Sequence, residues 1–476
     1  MYGIRRSKAP KVTWPPAPPV DETDEERQNR LDEEARAKKR SDEIDSEIRA
    51  EKEKKKRKPG NRAKILLLGQ AESGKSTVLK NFQYQFAPKA FEAEAELWKP
   101  IVHLNLVRSI NFVINFLNSR IAGMREVMKD APMATGQGLH FSGDVYRLIA
   151  SLAPLRDVED TLNQILAVEP TSGQPQATGI NLYYNPAKAP EGSVAEGYGW
   201  RNLAVTSRPS VDASSSSADD TPSISDRLWQ ARRVLLSCGE DIEKLWNDRT
   251  VRRALKSAEI TLEEQPGFFL DSAIRVTQED YRPPPQDVLK ARVTTIGPEE
   301  HTIHDERDFD AREWIIYDVG GSRSQRAAWA QFFDDVNIII FLAPMSAFNQ
   351  VLAEDESVNR LTDSLKLWQD TCSNKILANL EFVLFLNKLD ILQSKLRAGV
   401  KFSEFVTSFI DKPNETKPVA KYLLDVFVSI HQKNSPRRRR LHPHITCAVD
   451  TTATADIIAR IKELILVNFL QKTNVL

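Results

Sequence analysis

The sequence predicts an α/β fold, in which a doubly wound, mostly parallel sheet is interrupted by an inserted all-helical domain. Its 476 residues suffice for about two or three domains. In the first and last parts of the chain, short apolar runs of strand length alternate with helical segments, which is typical of parallel strands joined by crossover helices. Between these parts, apolar residues recur at the spacing of amphipathic helices instead.

Two polar segments precede the first predicted strand. Residues 1–22 are rich in proline and basic side chains, and we expect a disordered lead there. Residues 23–60 are dominated by acidic and basic side chains at helical spacing, which predicts a charged helix. Such a helix is either solvated or bound to a partner. The basic run at 52–58 is weak support for contact with anionic lipid.

The stretch GQAESGKST at 69–77 follows an apolar strand and matches the phosphate-binding pattern G-x-x-x-x-G-K-S/T. Gly69 permits a tight turn, after which backbone N–H groups at the start of a helix can point at phosphate oxygens. Lys75 would supply charge to the outer phosphates, and the Ser76 hydroxyl would bind Mg²⁺. The residues predicted to contact the nucleotide here are Glu72, Ser73, Gly74, Lys75, Ser76 and Thr77.

The middle of the chain, 95–285, is predicted to be the inserted helical domain. Its first helix carries apolar residues at helical spacing over 94–122. Further helices are predicted at 142–152, 158–168 and 225–257. Residues 170–225 are rich in proline, glycine and serine, which predicts a flexible insertion.

The last part, 286–476, returns to strands alternating with helices. Predicted strands are 314–318, 336–342, 382–386 and 444–448, and predicted helices are 356–374, 417–432 and 456–470. Ligands of doubly wound sheets bind outside the carboxyl ends of the strands, so the residues that follow each strand are candidates for the site.

The motif DVGG follows the strand at 314–318. Asp318 is placed to hold Mg²⁺ through water, as the acid at the end of such a strand does. Gly320 and Gly321 let the backbone approach the last phosphate, because neither carries a side chain.

The motif NKLD at 387–390 predicts selection of guanine. The Asp390 carboxylate can accept hydrogen bonds from the N1–H and 2-amino groups of guanine, which adenine does not offer in that pattern. Asn387 can donate to the other edge of the base, and the stem of Lys388 can cover its face. Backbone contacts to the base oxygen are expected from Cys447 and Ala448, which follow the last strand.

In this order, the motifs resemble those of the alpha subunits of heterotrimeric G proteins. The resemblance extends from residue 60 to the C-terminus, outside the 170–225 segment. It rests on GQAESGKST, QDVLKARVTTIG (286–297), DVGGSRSQRAAW (318–329), VLAEDESVNR (351–360), FLNKLD (385–390) and TCAVDT (446–451). It implies a P-loop GTPase domain, formed by 61–94 and 286–476, that binds GTP or GDP with Mg²⁺, and a helical domain that closes over the nucleotide.

The resemblance also implies roles for single residues. Arg292 would be a built-in arginine finger that neutralises charge on the transferring phosphoryl group. Thr295 would join Ser76 as a second Mg²⁺-binding hydroxyl. The family also has an acid–serine pair in the helical domain that reaches the nucleotide, and counting back without gaps places Glu264 and Gln265 there, with Asp271-Ser272 out of register. The remaining residues expected to line the nucleotide are Leu289, Lys290 and Ala291.

Two departures fall at the hydrolytic centre. The family has a glutamine after DVGG that orients the attacking water, but this chain has Ser322, which is too short and lacks the amide. The family has glycine where this chain has Ala71, whose methyl group would crowd the water-positioning segment. We therefore expect a protein that binds GTP and Mg²⁺ normally, with Ser322 at the catalytic position, but hydrolyses GTP slowly.

The partners implied by the resemblance are a β-γ dimer, a seven-helix receptor and a downstream effector. Acidic and basic residues number 66 each, so charge gives no argument for a nucleic-acid partner. Residue 2 is not glycine and the first cysteine is Cys238, so we expect no N-terminal lipidation signal. We also expect no apolar run that is long enough to span a bilayer. The expected location is cytoplasmic, with peripheral contact to the plasma membrane left to the partners.

Two other functions stay open from the sequence. A nucleotide-bound scaffold would keep the fold without cycling between GTP and GDP. An ATP-dependent P-loop enzyme is disfavoured by the NKLD motif, and competition between GTP and ATP would separate it from the first interpretation.

Overall fold

The computed structural model describes residues 62–130, 141–166, 224–258, 260–293, 298–307, 313–435 and 439–472, and part of 23–46. The chain divides into a unit that ends at Asn61 and a second unit, Arg62–Leu476. In the first unit, the described residues from 24 to 46 are helical and exposed. The predicted lead at 1–22 lies outside the described residues. So does the predicted insertion, except for its last two positions, which are helical.

A single six-stranded sheet organises the second unit. Its strands are β1 (Arg62–Gly69), β2 (Pro298–His304), β3 (Glu313–Val319), β4 (Ile338–Pro344), β5 (Glu381–Asn387) and β6 (Leu441–Ile445). They lie in the order β2-β3-β1-β4-β5-β6. All neighbours are parallel except β2, which runs antiparallel to β3 at the edge. The predicted doubly wound, mostly parallel sheet is therefore confirmed.

Helices cover this sheet and build the block inserted into it. They are α1 (Lys75–Phe86), α2 (Pro88–Ala93), α3 (Lys99–Asp130), α4 (Gly143–Ser151), α5 (Leu155–Leu166), α6 (Ile224–Asn247), α7 (Arg249–Ser257), α8 (Ala273–Thr277), α9 (Pro285–Lys290), α10 (Arg360–Ser373), α11 (Leu389–Arg397), α12 (Phe402–Phe405), α13 (Thr416–Asn434) and α14 (Thr451–Lys472). Among the described residues from 95 to 285, every regular element is helical.

Both faces of the sheet are buried, which is why its parallel strands read as continuous apolar runs. In β1, Leu66 and Leu68 belong to the core that contains Trp368 of α10. The alternate residues Ile65 and Leu67 belong to the core on the opposite face, together with side chains of α1 and α14.

The long helix α3 is the centre of the helical block. By length and composition alone, the stretch Ala95–Ala122 would be able to cross a membrane, which corrects the expectation that no run is long enough. However, 67% of its most apolar window is buried inside the protein. Ile101, Leu104 and Leu117 are fully buried against the other helices of the block, so α3 serves as a core helix.

The differences from the sequence predictions include a shifted strand and an unpredicted one. Strand β6 covers Leu441–Ile445 rather than 444–448, so Cys447 and Ala448 lie in the loop beyond the strand end. Strand β2 was not predicted, because it is a polar edge strand whose residues are mostly exposed or half-buried.

Candidate nucleotide-binding site

The phosphate loop leaves β1 at Gly69 and enters α1 at Gly74. Gly69 has φ 144° and Gly74 has φ 103°. A Cβ atom on Gly69 would overlap the carbonyl oxygen of Leu342, and one on Gly74 would overlap the amide of Asn387. Glycine is therefore required at both ends, and the loop it allows brings the N-terminus of α1 to the end of the sheet.

Lys75 lies in the first turn of α1, with its ammonium group folded over the loop. The Nζ atom donates to the carbonyl oxygens of Gly69, at 3.0 Å, and Gln70, at 2.8 Å. Burial lowers the pKa of Lys75 to about 8, partly opposed by the carboxylate of Asp318. Ser73 is fully buried, and its hydroxyl has no hydrogen-bond partner among the described residues. A buried cation, an orphan hydroxyl and a helix N-terminus together fit a phosphate group.

The residues predicted to bind magnesium are close together at the end of β3. The Ser76 hydroxyl donates to Oδ2 of Asp318 at 2.6 Å. Asp318 is fully buried, and burial raises the pKa of its carboxyl group, while Lys75 and the Ser76 hydrogen bond act in the opposite direction. Oxygen donors of this kind suit Mg²⁺, so Ser76 and Asp318 fit the ion. Thr295 lies outside the described residues.

Asn387, at the end of β5, joins three parts of the site. Its Nδ2 atom donates to the carbonyl oxygen of Ser73 in the phosphate loop at 2.8 Å. Its Oδ1 atom accepts from the Thr446 hydroxyl at 3.2 Å and from the Ala448 N–H at 3.0 Å. The amide thus braces the phosphate loop and the loop after β6 against each other.

The residues after Asn387 that are predicted to contact the base begin α11. Lys388 caps the helix in the left-handed conformation, with φ 63°. Burial lowers its pKa to about 8, although the nearby Glu72 carboxylate opposes this shift. Asp390 lies in the first turn, close to the Cys447 thiol. Burial, followed by the charge of Asp390, raises the pKa of that thiol to about 11. Asp390 and Cys447 therefore face the same small region, as recognition of one base requires.

Arg292 is anchored beside the phosphate loop by Glu72. Its Nη2 atom lies 2.9 Å from Oε1 of Glu72, and Nη1 of Arg360 lies 3.1 Å from Oε2. Burial disfavours the Glu72 carboxylate, but Arg292, Arg360 and Lys388 outweigh it and lower the pKa of Glu72 to about 2. Arg360 also donates to the Ala71 carbonyl oxygen at 2.7 Å. Arg360 was not among the predicted site residues, although it ends the quoted motif VLAEDESVNR.

Helix α9 and the residue that follows it, which precede Arg292, are hydrogen-bonded to side chains of α1. Lys80 donates to the carbonyl oxygens of Val288, at 3.1 Å, and Ala291, at 2.9 Å. The Thr77 hydroxyl donates to the Leu289 carbonyl oxygen at 3.5 Å. The Lys290 ammonium lies within 6 Å of the rings of two phenylalanines of the helical block. These contacts attach the linker that carries Arg292 to both domains.

Glu264 and Gln265 lie where the helical block meets α11. Glu264 forms an ion pair of 2.9 Å with Lys395, whose side chain is only 1% exposed. Gln265 lines a cavity of about 40 Å³ that Arg292 also borders. The alternative acid, Asp271, instead accepts a hydrogen bond from the buried indole of Trp246 within the helical block at 2.7 Å.

The segment after β3 contacts both the phosphate loop and α10. A Cβ atom on Gly321 would overlap the backbone of Gln70 and Ala71, so the two loops touch directly. Beyond it, Nη2 of Arg326 lies 2.7 Å from Asp363 of α10. The Gln70 side chain donates to the same carboxylate. Asp363 therefore links the phosphate loop, α10 and this segment, a function that its place in the sequence does not reveal.

Ser322 holds a different contact from the one expected of a catalytic glutamine. Its hydroxyl donates to Oε1 of Gln325 at 2.9 Å. The backbone N–H of Gln325 returns a hydrogen bond to the Ser322 carbonyl oxygen at 3.0 Å.

Three features at one end of the sheet define a P-loop GTPase. They are the phosphate loop between Gly69 and Gly74, the buried Asp318 at the end of β3, and the NKLD motif that follows β5 and is predicted to select guanine. A family model described as G-protein alpha subunit matches residues 38–465. The guanine nucleotide-binding protein alpha-4 subunit of Mycosarcoma maydis is 30% identical over 94% of this chain and 92% of its own. The guanine nucleotide-binding protein subunit alpha of Sporothrix schenckii is 26% identical over 91% and 95%, respectively. The guanine nucleotide-binding protein alpha-8 subunit of Caenorhabditis briggsae is 33% identical over 49% and 62%.

The chain belongs to the family of G-protein alpha subunits. The fold, the GTPase class and the expected use of GTP, GDP and Mg²⁺ follow from this membership and from the sheet and helical block described above. Mg²⁺ would neutralise phosphate charge where Ser76 and Asp318 meet.

Proposed function

We propose that this chain is a GTP/GDP switch whose intrinsic GTP hydrolysis is slow. The observation that carries the proposal is Ser322, which stands where the family has glutamine and whose hydroxyl is engaged by Gln325. The parts that would hold the nucleotide, from the phosphate loop to the NKLD motif, are retained. The departure therefore concerns turnover rather than binding.

The expected loss of rate follows from what the missing side chain does. A glutamine amide beside the γ-phosphate orients the attacking water, and a serine hydroxyl on a shorter side chain does not reach the same point. Removing one such positioned group typically lowers the rate by about 10²- to 10³-fold. Ala71 adds to this effect, because its backbone touches Gly321 and its methyl group restricts the approach of the segment that follows.

Single-turnover hydrolysis of GTP preloaded on the full chain tests this proposal. We expect Ser322→Gln to raise the rate at least about tenfold, because it restores the positioned amide. Ala330→Gln is the matched control, since it adds the same side chain to an exposed position of the 3₁₀ helix that follows Ser322, Arg323–Phe332. A native rate that Ser322→Gln fails to raise would refute the assignment of slowness to this position.

In the family, alpha subunits work with β-γ dimers, receptors and effectors. For this chain the proposal is that the charged segment at 23–60 binds β-γ, the end of α14 faces the receptor, and the protein is cytoplasmic, reaching the membrane through these partners. A β-γ pulldown in GDP and in a non-hydrolysable GTP analogue tests it. Release of β-γ by the analogue is expected, and equal capture in both nucleotides instead favours the non-cycling scaffold.

A further inference from the structure

We propose that Gln325 supplies the side-chain amide that orients the attacking water for the residual GTP hydrolysis of this chain. The inference rests on the proposed function, because it concerns the turnover that remains after the loss of glutamine at 322. In that reaction the water oxygen forms a bond to the γ-phosphorus, the bond to the β–γ bridging oxygen breaks with its electron pair going to GDP, and the water proton passes to the phosphate product.

The backbone places Gln325 one turn beyond Ser322. A 3₁₀ helix covers Arg323–Phe332, and its first turn closes with the Gln325 N–H donating to the Ser322 carbonyl oxygen. The side chain then folds back along this turn, where the Ser322 hydroxyl donates to Oε1 at 2.9 Å. Ser322 therefore does not replace the missing glutamine itself. It holds the amide of a glutamine located three residues further along the chain.

The amide rests directly against the backbone of the DVGG motif. A Cβ atom on Gly320 would overlap Oε1 and Cδ of Gln325 and would lie 3.0 Å from Nε2. No residue other than glycine at 320 would leave room for it. The amide is thereby held beside Gly320, the residue before Gly321, whose backbone is the part of this motif expected to approach the γ-phosphate.

The amide also lies close to two established contacts of the site. Gly320 is two residues beyond Asp318, which contacts Ser76, and one residue before Gly321, which packs against the backbone of Gln70 and Ala71 in the phosphate loop. The Gln325 amide is therefore held at the residue between these two contacts.

A purely structural explanation makes a different prediction. Ser322 and Gln325 have the S-x-x-Q spacing of a capping box, in which the side chain at the fourth position stabilises the start of a helix. A capping box accepts glutamate as readily as glutamine. Water orientation beside a γ-phosphate does not, because a carboxylate loses the N–H donor and repels the phosphate. Gln325→Glu therefore separates the two roles.

The experiment measures single-turnover hydrolysis of GTP preloaded on the full chain with Mg²⁺, expressed per bound nucleotide. We expect Gln325→Glu and Gln325→Ala to lower the rate at least about tenfold. The matched control is Gln331→Ala, an exposed glutamine of the same 3₁₀ helix, which should stay within about twofold of the native rate. Thermal unfolding of the Glu variant is expected to match that of the native chain.

A Gln325→Glu variant that hydrolyses GTP within about twofold of the native rate overturns the inference and leaves Gln325 as a cap. If the Ala variant fails to fold or to bind GTP, the Glu variant alone decides. Failure of this inference and failure of the slow-hydrolysis proposal give different results. Ser322→Gln without effect contradicts that proposal, whereas loss of rate in Gln325→Glu still supports the role of Gln325.

Discussion

Lys75, which is buried, and Lys388, which is half-buried, are two lysines of the nucleotide site whose charge depends on pH. Burial lowers the pKa of each to about 8. For Lys75, the charges that act on this value are Asp318, which raises it, and Arg326 and Arg360, which lower it further. These two lysines thus hold their positive charge mainly below about pH 8, and bound phosphate would stabilise that charge.

The first prediction concerns pH. Raising the pH from 7 to 9 should weaken GTP binding, because both lysines lose protons near pH 8 in the nucleotide-free protein. At pH 8.5, binding should take up protons, detected as a dependence of the calorimetric heat on the ionisation enthalpy of the buffer. Lys388→Met should retain the share due to Lys75. Binding that is equally tight across this range, with no proton uptake, would contradict the assignment.

Stability should change with pH in the opposite direction. The folded pKa of each lysine lies below its ordinary value of 10.5, so between about pH 8 and 10.5 the unfolded chain binds more protons. The contribution of these groups to the free energy of unfolding therefore rises with pH through this window and is lost as pH falls through 8. The same two lysines thus weaken nucleotide binding and stabilise the empty protein as pH increases.

Several residues of the site were beyond prediction, because folding brings them together from distant positions. Gln70 and Asp363 are 293 residues apart in sequence but share a hydrogen bond. Arg360 and Lys395 each look like a surface charge on an amphipathic helix, and only the structure shows that both are buried and paired with Glu72 and Glu264. The motifs were predictable because the functional residues of each one lie within a few consecutive positions after a strand.

At the scale of elements, one ion pair attaches the helical block to the GTPase domain beside the end of the site that is predicted to bind the base. Glu264 belongs to a 3₁₀ turn of the block, Leu262–Glu264, and Lys395 belongs to α11. Lys395 is also held by the Ser346 carbonyl oxygen at 2.8 Å and by Asn349 Oδ1 at 2.6 Å. Removing its acidic partner leaves these hydrogen bonds in place and loosens only the contact between the domains.

We therefore predict that Glu264→Gln accelerates GDP release by roughly three- to tenfold, since a lost partly buried pair costs on the order of 1 kcal/mol. Release of a fluorescent GDP analogue measures this rate. The neighbouring Glu263→Gln is the control, because Glu263 pairs at the surface with Arg252 of the same block. Equal rates for the two variants would argue against a closing role for Glu264.

The elements differ in how well the sequence predicts them. Strands β1, β4 and β5 are apolar on both faces and stand out as continuous runs. Strand β2 carries PEEHTIH, and only Ile303 is buried, so its pairing with β3 leaves little trace in composition. The start of α3 shifts from 94 to Lys99 because a 3₁₀ turn, Ala95–Trp98, continues the same apolar spacing before the α-helix begins.

At the scale of the whole molecule, the helical block holds Arg292, the predicted arginine finger, by its backbone. Asn105 of α3 accepts a hydrogen bond from the Arg292 N–H at 2.7 Å and donates to the Arg292 carbonyl oxygen at 3.2 Å. Glu72 of the phosphate loop holds the guanidinium end of the same residue. Closure of the block and placement of Arg292 are therefore parts of one arrangement.

Asn105→Ala should accordingly lower single-turnover GTP hydrolysis by about tenfold while changing GTP affinity much less, because it displaces a group that acts on the transferring phosphoryl group. Asn118→Ala, at an exposed position of the same helix, is the control. A fall in affinity as large as the fall in rate would instead indicate general loosening of the block.

Asn387 gives the pocket one further property. Its single amide ties the loop that grips phosphate to the loop beside the base. A ligand that contacts only the phosphate loop or only the base loop still has to order both loops, so its binding free energy carries the whole entropic cost. A complete nucleotide incurs the same cost but makes both sets of contacts. Free guanosine and free pyrophosphate are therefore poor guides to the strength of the intact ligand, which the protein recognises as a unit.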